Sequence, residues 1–365
     1  MGKKAKMPID LKEYGSGITC FLGYNKNNQW HTNHFEFGSI SHQSKKEIFE
    51  NTRFDIASLT KTFTSILIHK AVEEKLFTFQ TKIIDIDCRF QNIGKVTIED
   101  LLCHRVEIWT KGYLGDITTL KEYNQILYSA YLKSSHPKYV DTHYIILSKI
   151  LEVTYQKTYN ELLQEQIIKP LKLTHTSFFL SENDSYTSCD KELRDNKIIN
   201  IPAQKAHDAK ARALVDLSIY PGHAGLFSTS KDLFLVLKSL IDESEKILKN
   251  KSKVHFFNHD DYENYIKECQ QNQKEIMISP YTYGGMRYKI LNEKLNPVRV
   301  PCSIDSFLFS GYTGPIYLID KQMKIIIVLM INSVHFSKKT RAERLEFSMN
   351  LISKIYTTIK KEFFM

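Results

Sequence analysis

Hydrophobic and polar residues alternate along two stretches near the start of the chain. Residues 17–24 and 29–39 follow this two-residue period, and the turn-forming run Asn-Lys-Asn-Asn at residues 25–28 separates them. This pattern is typical of an antiparallel hairpin. Further strands are predicted near the other end of the chain, in residues 281–290, 307–319 and 325–331. The last of these is apolar enough to be a strand that is covered on both faces.

A period of three to four residues between apolar positions predicts helices in the middle of the chain. After Ala57 this period is carried by Phe63, Ile66, Leu67 and Ala71, and it predicts one long helix. The same spacing predicts helices in residues 98–103, 120–132, 142–153 and 159–170. Residues 341–363 form an amphipathic stripe suited to covering one face of a sheet.

Strands at both ends of the chain, with helices between them, predict an α/β domain that is split in sequence. We expect residues 1–85 and 276–365 to form this domain, an antiparallel sheet flanked by helices. Residues 86–275 are then expected to form a mostly helical inserted domain, with a polar, variable segment near residues 241–275. The fold class predicted from the pattern is therefore α/β with an α-helical insertion.

Composition and charge narrow the possible functions. The 365 residues are 42% hydrophobic, which is enough to build a substantial core. The net charge of +9 comes from basic residues dispersed among acidic ones, which is typical of a solvated surface rather than a nucleic-acid-binding face. The longest aliphatic run has seven residues (325–331), whereas a membrane-spanning helix needs about 20. We expect neither a nucleic-acid partner nor a membrane span.

The first residues of the chain and the cysteines indicate the cellular compartment in which we expect the protein. Residues 1–17 have a basic start but lack the apolar core of a secretory signal, so we expect a cytoplasmic protein unless a signal has been removed. The cysteines are far apart, without a C-x-x-C pair, and are expected to be buried thiols in a reducing environment. They are Cys20, Cys88, Cys103, Cys189, Cys269 and Cys302.

Ser58 and Lys61 have the S-x-x-K spacing, which places a lysine amine beside a serine hydroxyl on one helical face. The spacing occurs four times, also starting at Ser135, Ser188 and Ser228, but Ser58 stands at the start of the long apolar helix. A hydroxyl at a positive helix N-terminus next to a buried amine could act as a nucleophile. From the residue types alone, a chance serine beside a lysine that reaches solvent is favoured over a nucleophile.

Five segments in order carry a resemblance to a known family. They are Phe54-Asp-Ile-Ala-Ser-Leu-Thr-Lys61, Val96-Thr-Ile-Glu-Asp-Leu-Leu-Cys-His104, Tyr139-Val-Asp-Thr-His-Tyr144, the stretch 168–176 and Gly222-His-Ala-Gly-Leu-Phe-Ser-Thr229. Together they resemble the serine β-lactamase-like superfamily, in the branch that holds class C β-lactamases, D-alanyl-D-alanine carboxypeptidases and related esterases. The resemblance runs from about residue 54 to residue 332. It implies a β-lactamase/transpeptidase-like fold.

The resemblance also implies a mechanism. Ser58 would attack the carbonyl of an ester or amide and form an acyl-enzyme, while Lys61 and Tyr139 share its proton and Tyr139 returns it to the leaving group. A phenol has an ordinary pKa of about 10, so a tyrosine that acts as a base at neutral pH needs an adjacent cation. A tyrosine packed in a loop is the alternative interpretation of Tyr139.

One departure from the family pattern lies two residues after this tyrosine, where Asp141 replaces the family's asparagine. Its carboxylate can hold Lys61 charged, but it has no N–H for a substrate carbonyl and it would repel an anion. Asp141 could equally be the N-cap of the helix predicted to follow it.

The second departure lies at the family's third element, Lys-Thr-Gly or His-Thr-Gly, which aligns with Phe309, Ser310 and Gly311. A phenylalanine cannot form the ion pair that recognises a substrate carboxylate. The other possible register, at residues 312–314, restores a polar residue but no charge. By analogy, the backbone N–H groups of Ser58 and Tyr312 would form the oxyanion hole. We expect Asp141, Phe309, Ser310, Gly311, Tyr312 and His223 to bind substrate.

Cofactor motifs are missing from the sequence. The histidines, His207 and His223 among them, lack the paired spacing of a zinc site, and neither dinucleotide nor P-loop glycine patterns occur. The resemblance, with its two departures, implies a serine hydrolase that acts on a small neutral ester or amide, and the missing motifs predict that it needs no metal or cofactor. Two alternatives stay open: an inactive scaffold or binding protein of the same fold, and a β-lactamase or D-Ala-D-Ala carboxypeptidase.

Overall fold

A six-stranded antiparallel sheet forms the centre of the molecule. The computed structural model describes residues 11–187, 189, 191–194, 197–258, 281–284, 287–288, 300–303, 306–335 and 337–363. In chain order the described strands are β1 (Gly17–Lys26), β2 (Gln29–Gly38), β3 (Phe54–Asp55), β4 (Glu107–Trp109), β5 (Tyr131–Ser134), β6 (Lys191–Arg194), β7 (Lys197–Asn200), β8 (Phe227–Ser228), β9 (Arg287–Tyr288), β10 (Ser306–Ser310), β11 (Ile316–Asp320) and β12 (Ile325–Ile331). The sheet has the order β2-β1-β12-β11-β10-β9, and the remaining strands pair as β3–β8, β4–β5 and β6–β7.

Strands from the early and late parts of the chain pair with each other inside the sheet. Strand β1 runs antiparallel to β12 in a register that pairs Ile18 with Ile331 and Tyr24 with Ile325. The predicted hairpin is confirmed, and its turn works because Asn27 and Asn28 both adopt positive φ (53° and 61°). Asparagine tolerates this left-handed conformation better than other residues with a side chain, and it suits a two-residue hairpin.

The helices follow the predicted spacing in most places. In chain order they are α1 (Thr60–Glu73), α2 (Ile83–Ile86), α3 (Ile98–Leu102), α4 (Leu120–Leu127), α5 (Asp141–Tyr155), α6 (Tyr159–Leu163), α7 (Lys169–Leu171), α8 (Ala209–Asp216), α9 (Ser230–Ile241), α10 (Asn250–Phe256) and α11 (Arg341–Phe363). Short 3₁₀ turns cover Leu11–Glu13, Ala57–Leu59 and Gln91–Ile93, and one π-helical turn, Gln164–Ile168, joins α6 to α7.

The prediction of a single helix over residues 120–132 is wrong at its end. Helix α4 stops at Leu127, and β5 begins four residues later and pairs with β4. The apolar side chains of Tyr131 and Leu132 suggested that the helix continued, but both are exposed, so they do not belong to a core-facing stripe. Likewise, the apolar run 307–319 is not one strand but two, β10 and β11, joined by a turn.

Both faces of the sheet are covered. One face packs on a large core that includes Phe63 and Ile66 of α1, and the other packs on Ile352 and Tyr356 of α11. All seven residues of β12 are buried, which confirms the prediction of a strand covered on both sides. Helix α9 also lies against β1 and β12, although it falls within residues 86–275. The division into a split domain and a helical insertion stays a prediction.

Some sequence expectations fall partly outside the described residues. Of the polar segment near 241–275, residues 259–275 lie outside them, as do Cys269 and residues 285–286 and 289–290 of the predicted strand at 281–290. Cys20, Cys103 and Cys189 are buried as expected, whereas Cys88 is exposed, so the prediction of a buried thiol is wrong there. Within the described part of the chain, every helix falls short of the length or hydrophobicity that crossing a bilayer requires.

Candidate active site

Ser58 lies in the 3₁₀ turn that leads into α1, half-buried at the edge of the core. The preceding residue, Ala57, has φ +45°, a conformation that costs energy for any residue with a Cβ. The Asp55 carboxylate holds this turn by accepting the Ala57 N–H at 2.8 Å. Strand β3, which carries Asp55, is anchored by its pairing with β8. A sharp, supported turn therefore presents the Ser58 hydroxyl.

Lys61 lies one helical turn after Ser58, and its side chain is completely buried. Its ammonium donates to Asp141 Oδ1 at 2.8 Å, to the His223 carbonyl oxygen at 3.1 Å and to Ser58 Oγ at 3.3 Å. Burial on its own would lower the pKa of Lys61, but the negative charge of Asp141 and the Tyr139 phenol raise it above its ordinary value. Lys61 is therefore a cation with three acceptors, one of them the Ser58 hydroxyl.

The Tyr139 ring packs against this cation. Lys61 Nζ lies 4.8 Å from the ring centroid, and the ring also contacts those of His104 at 4.5 Å and Tyr281 at 5.4 Å, measured between centroids. A cation at this distance from an aromatic face is attracted to it. The structure thus brings together the three residues that the sequence proposed as catalytic, Ser58, Lys61 and Tyr139. Their roles remain predictions.

Asp141 is the first residue of α5 rather than its cap. The N-cap is Val140, and its side chain makes no capping hydrogen bond, so the N-cap interpretation of Asp141 is wrong. One carboxylate oxygen binds Lys61, and the other accepts from Lys210 Nζ at 2.8 Å. Burial would raise the pKa of Asp141, but the charges of Lys61 and Lys210 hold it well below its usual range.

Lys210 and Asp208 are site residues that the sequence analysis missed. Lys210 Nζ lies between Asp141 and Asp208, 3.9 Å from the nearer Asp208 oxygen. Asp208 caps α8 by accepting the Ala211 N–H, and its Oδ1 lies 3.0 Å from His223 Nε2. An aspartate just before a helix is a recognisable N-cap signal, so Asp208 could have been placed locally. Nothing local connects Lys210 to Asp141.

The same cluster is the place where a metal could be held. Ligand atoms of Asp141, Asp208 and His223 lie within 4.8 Å of one another. The Lys210 ammonium already compensates the two carboxylates from within the chain. The two lysines and two aspartates of the cluster therefore balance in charge, and a metal is not needed to stabilise it.

The third element approaches the nucleophile through Gly311. A Cβ added there would lie 2.7 Å from the Ile56 carbonyl oxygen and 3.3 Å from Ala57 Cβ, so a glycine is required. Two residues on, the Thr313 hydroxyl donates to the Asp55 carbonyl oxygen at 2.7 Å. These contacts place the backbone on both sides of Tyr312 beside the segment that carries Ser58. They favour the register in which Gly311 closes the third element.

The side chains of the third element differ in accessibility. Phe309 is only 4% exposed and belongs to the core that includes α1, with its ring 6.3 Å from that of Tyr317. Ser310 and Tyr312 are half-buried. His223 is buried and contributes its carbonyl oxygen to Lys61, which fits a positioning role better than direct contact with substrate. Substrate binding by these residues stays a prediction.

Sequence comparison places this chain in a known family. Residues 21–348 match the sequence model of the β-lactamase family. An Escherichia coli (strain K12) protein named "Putative D-alanyl-D-alanine carboxypeptidase" is 26% identical over 220 residues, which are 56% of this chain and 47% of that protein. The chain thus spans about half the length of this relative.

Two solved structures share the fold. EstCE1, described as a hydrolase with promiscuous acyltransferase activity, has a TM-score of 0.69 at 16% identity, covering 93% of this chain and 95% of its own. The octameric penicillin-binding protein homologue from Pyrococcus abyssi has a TM-score of 0.67 at 19% identity, covering 93% of this chain and 74% of its own. The predicted β-lactamase/transpeptidase-like fold is confirmed.

Proposed function

Because this chain belongs to the β-lactamase family, whose members are serine hydrolases, we propose that it hydrolyses a small ester or amide through an acyl-enzyme on Ser58. The observation that carries the proposal is the hydrogen bond from the fully buried Lys61 ammonium to the Ser58 hydroxyl. A buried lysine is costly unless it is paired and has a purpose. Here Asp141 keeps it charged beside a half-exposed serine hydroxyl.

The charge on Lys61 supports one assignment of the proton transfers. An ammonium cannot accept the proton of Ser58, so Tyr139, whose ring centroid lies 4.8 Å from Lys61 Nζ, is the proposed base. As Ser58 Oγ attacks the carbonyl carbon, its proton passes to Tyr139 and then to the leaving alcohol or amine. The backbone N–H groups of Ser58 and Tyr312 would bind the negative oxygen of the intermediate. Water then cleaves the acyl-enzyme by the same steps in reverse order.

The charge balance of the site favours a neutral substrate. Both lysines of the cluster are paired, Lys61 with Asp141 and Lys210 with Asp141 and Asp208, so neither offers a ready partner for a substrate carboxylate. The family's cation in the third element is replaced by Phe309, which is buried. Carboxypeptidase action, which the name of the E. coli relative suggests, is the second candidate.

Mass spectrometry of the intact protein after incubation with a fluorophosphonate tests the nucleophile. We expect one adduct on the wild type and none on Ser58→Ala. Ser135→Ala is the matched control, because Ser135 also starts an S-x-x-K pattern but is exposed, and it should be labelled like the wild type. A wild type that takes up no reagent would instead support an inactive scaffold of this fold.

Substrate charge is tested separately, by comparing kcat/KM for a neutral aryl ester with that for a penicillin. A charge-assisted contact with a carboxylate contributes about 1.5–3 kcal/mol, or roughly 10- to 100-fold in specificity. We expect kcat/KM for the neutral ester to be at least about 10-fold higher than that for the penicillin. Efficient penicillin hydrolysis would contradict the preference for a neutral substrate.

A further inference from the structure

Tyr312, whose N–H the proposed mechanism uses, is tied by its side chain to a distant residue. Its phenol donates to Glu192 Oε1 at 2.6 Å, across 120 residues of sequence. Glu192 lies on β6, and its side chain is only 3% exposed. A carboxylate buried this far is costly without strong hydrogen bonds, so the contact with Tyr312 is an integral part of the fold.

The second oxygen of Glu192 continues the connection toward Ser58. Glu192 Oε2 lies 3.0 Å from His207 Nε2, and the His207 backbone N–H donates to Asp55 Oδ2 at 2.7 Å. The other oxygen of Asp55 accepts the Ala57 N–H at 2.8 Å. Successive polar contacts therefore lead from the Tyr312 phenol to the residue that precedes the nucleophile.

These contacts meet at both halves of the expected oxyanion hole. One half is the N–H of Ser58, which follows Ala57 in its strained positive-φ conformation. The other is the N–H of Tyr312, whose neighbours Gly311 and Thr313 touch Ile56 and Asp55. Strain of this kind persists where the surroundings hold it in place. Oxyanion donors stabilise a transition state only when their positions are fixed in advance.

We propose that Glu192 is a positioning residue that sets the spacing between the Ser58 and Tyr312 N–H groups. It acts through the Tyr312 hydroxyl on one side and through His207 and Asp55 on the other. The inference rests on the proposed function, because an oxyanion hole matters only if Ser58 is acylated. It predicts a loss of transition-state stabilisation rather than of substrate binding when these contacts are broken.

Kinetics of three variants test the proposal. In Tyr312→Phe and Glu192→Leu, kcat for a neutral aryl ester and the rate of fluorophosphonate labelling should both fall about 10- to 100-fold, while KM changes by less than about threefold. In Glu192→Gln most of the rate should be retained, because the amide oxygen can still accept from Tyr312. The double variant Glu192→Leu/Tyr312→Phe should lose little more than the worse single variant, since both changes break the same contact.

Tyr356→Phe is the matched control. Its phenol also donates to a buried carboxylate at 2.6 Å, that of Asp320, but on the opposite face of the sheet from the site. We expect it to lower the melting temperature as Tyr312→Phe does and to leave kcat unchanged. This comparison separates a positioning role from the stability that any buried phenol–carboxylate bond provides.

The possible outcomes are distinct. Wild-type kcat and labelling rates in Tyr312→Phe, together with a lowered melting temperature, would show that the contact is structural and overturn the inference alone. Fully additive losses in the double variant would also overturn it. If the wild type is not labelled at all, the proposed function fails, and the inference fails with it. If Glu192→Leu does not fold, Tyr312→Phe still decides, because it removes a single hydroxyl from a half-buried ring.

Discussion

The Asp141 carboxylate is shared between two ammonium groups, 2.8 Å from Lys61 on one oxygen and 2.8 Å from Lys210 on the other. The aspartate that departs from the family pattern is therefore accompanied by a second cation. Its negative charge is compensated on both sides, which removes the repulsion that an unpaired carboxylate would exert on the substrate. Lys61 keeps its partner, and the site remains neutral.

Removing Lys210 should leave part of the negative charge of Asp141 without a neighbouring positive charge. In Lys210→Met, we expect kcat/KM for a carboxylate-bearing ester to fall about 10-fold more than kcat/KM for a neutral ester of the same acyl group. Adding Asp141→Asn should restore the ratio of the two kcat/KM values, because the double variant lacks both the Lys210 ammonium and the Asp141 carboxylate. Lys205→Met removes a paired but exposed lysine and serves as the control. An unchanged ratio in Lys210→Met would mean that Lys210 exerts no field on the substrate.

The pH profile should report the support that Asp141 gives to Lys61. Burial lowers the pKa of Lys61, while Asp141 and Tyr139 raise it, so Asp141→Asn removes the larger opposing contribution and the pKa falls. In this variant Lys61 therefore loses its proton at a lower pH than in the wild type. We expect the alkaline limb of kcat/KM to move to lower pH. A limb that stays in place would contradict the role of Lys61 as the required cation.

The close approach of Gly311 should be sensitive to a single methyl group. Gly311→Ala places a Cβ against the Ile56 carbonyl oxygen, which is backbone and cannot rotate away. We expect kcat/KM to fall about 100-fold, the effect of roughly 1 Å of misplacement in a catalytic site. Gly94→Ala is the control, since its added Cβ would lie closest to the flexible end of the Ile84 side chain. Equal activity in both variants would show that Gly311 does not set the geometry of the site.

Stability should decline in mild acid because of buried neutral histidines. Burial lowers the pKa of His69 to about 3, although its hydrogen bond to the Ser65 carbonyl opposes this. Between pH 6.5 and 3 the unfolded chain therefore binds a proton that the folded protein does not, and stability falls as the pH falls. At pH 4.5 this amounts to about 2–3 kcal/mol for His69.

Urea unfolding at pH 7 and pH 4.5 checks this expectation. The loss of unfolding free energy on acidification should be smaller in His69→Gln than in the wild type by about that amount. His136→Gln, at an exposed histidine, should lose as much as the wild type. If all three proteins lose the same unfolding free energy between pH 7 and pH 4.5, His69 is not the cause of the acid sensitivity.

The sequence predicts those elements of the fold that depend on local residue patterns. The hairpin 17–39, the helix after Ser58 and the buried strand 325–331 follow from residue periods, and the structure has all three. The contacts of Asp141 with Lys210 and of Glu192 with Tyr312 join residues 69 and 120 positions apart. No local signal relates such partners, because folding of the whole chain sets their distance. The five family segments located Ser58 and Lys61, but none of them includes Glu192 or Lys210.

The pairing of β1 with β12 also affects how the protein must be made. Ile18 finds its partner in Ile331, so β1 leaves the ribosome about 300 residues before the strand that covers its edge. At 5–20 residues per second, the nascent chain spends about 15–60 s with an apolar strand edge unprotected. Such an edge is a template for aggregation. A chaperone that shields β1 during translation would therefore raise the yield of folded protein more than one added after synthesis.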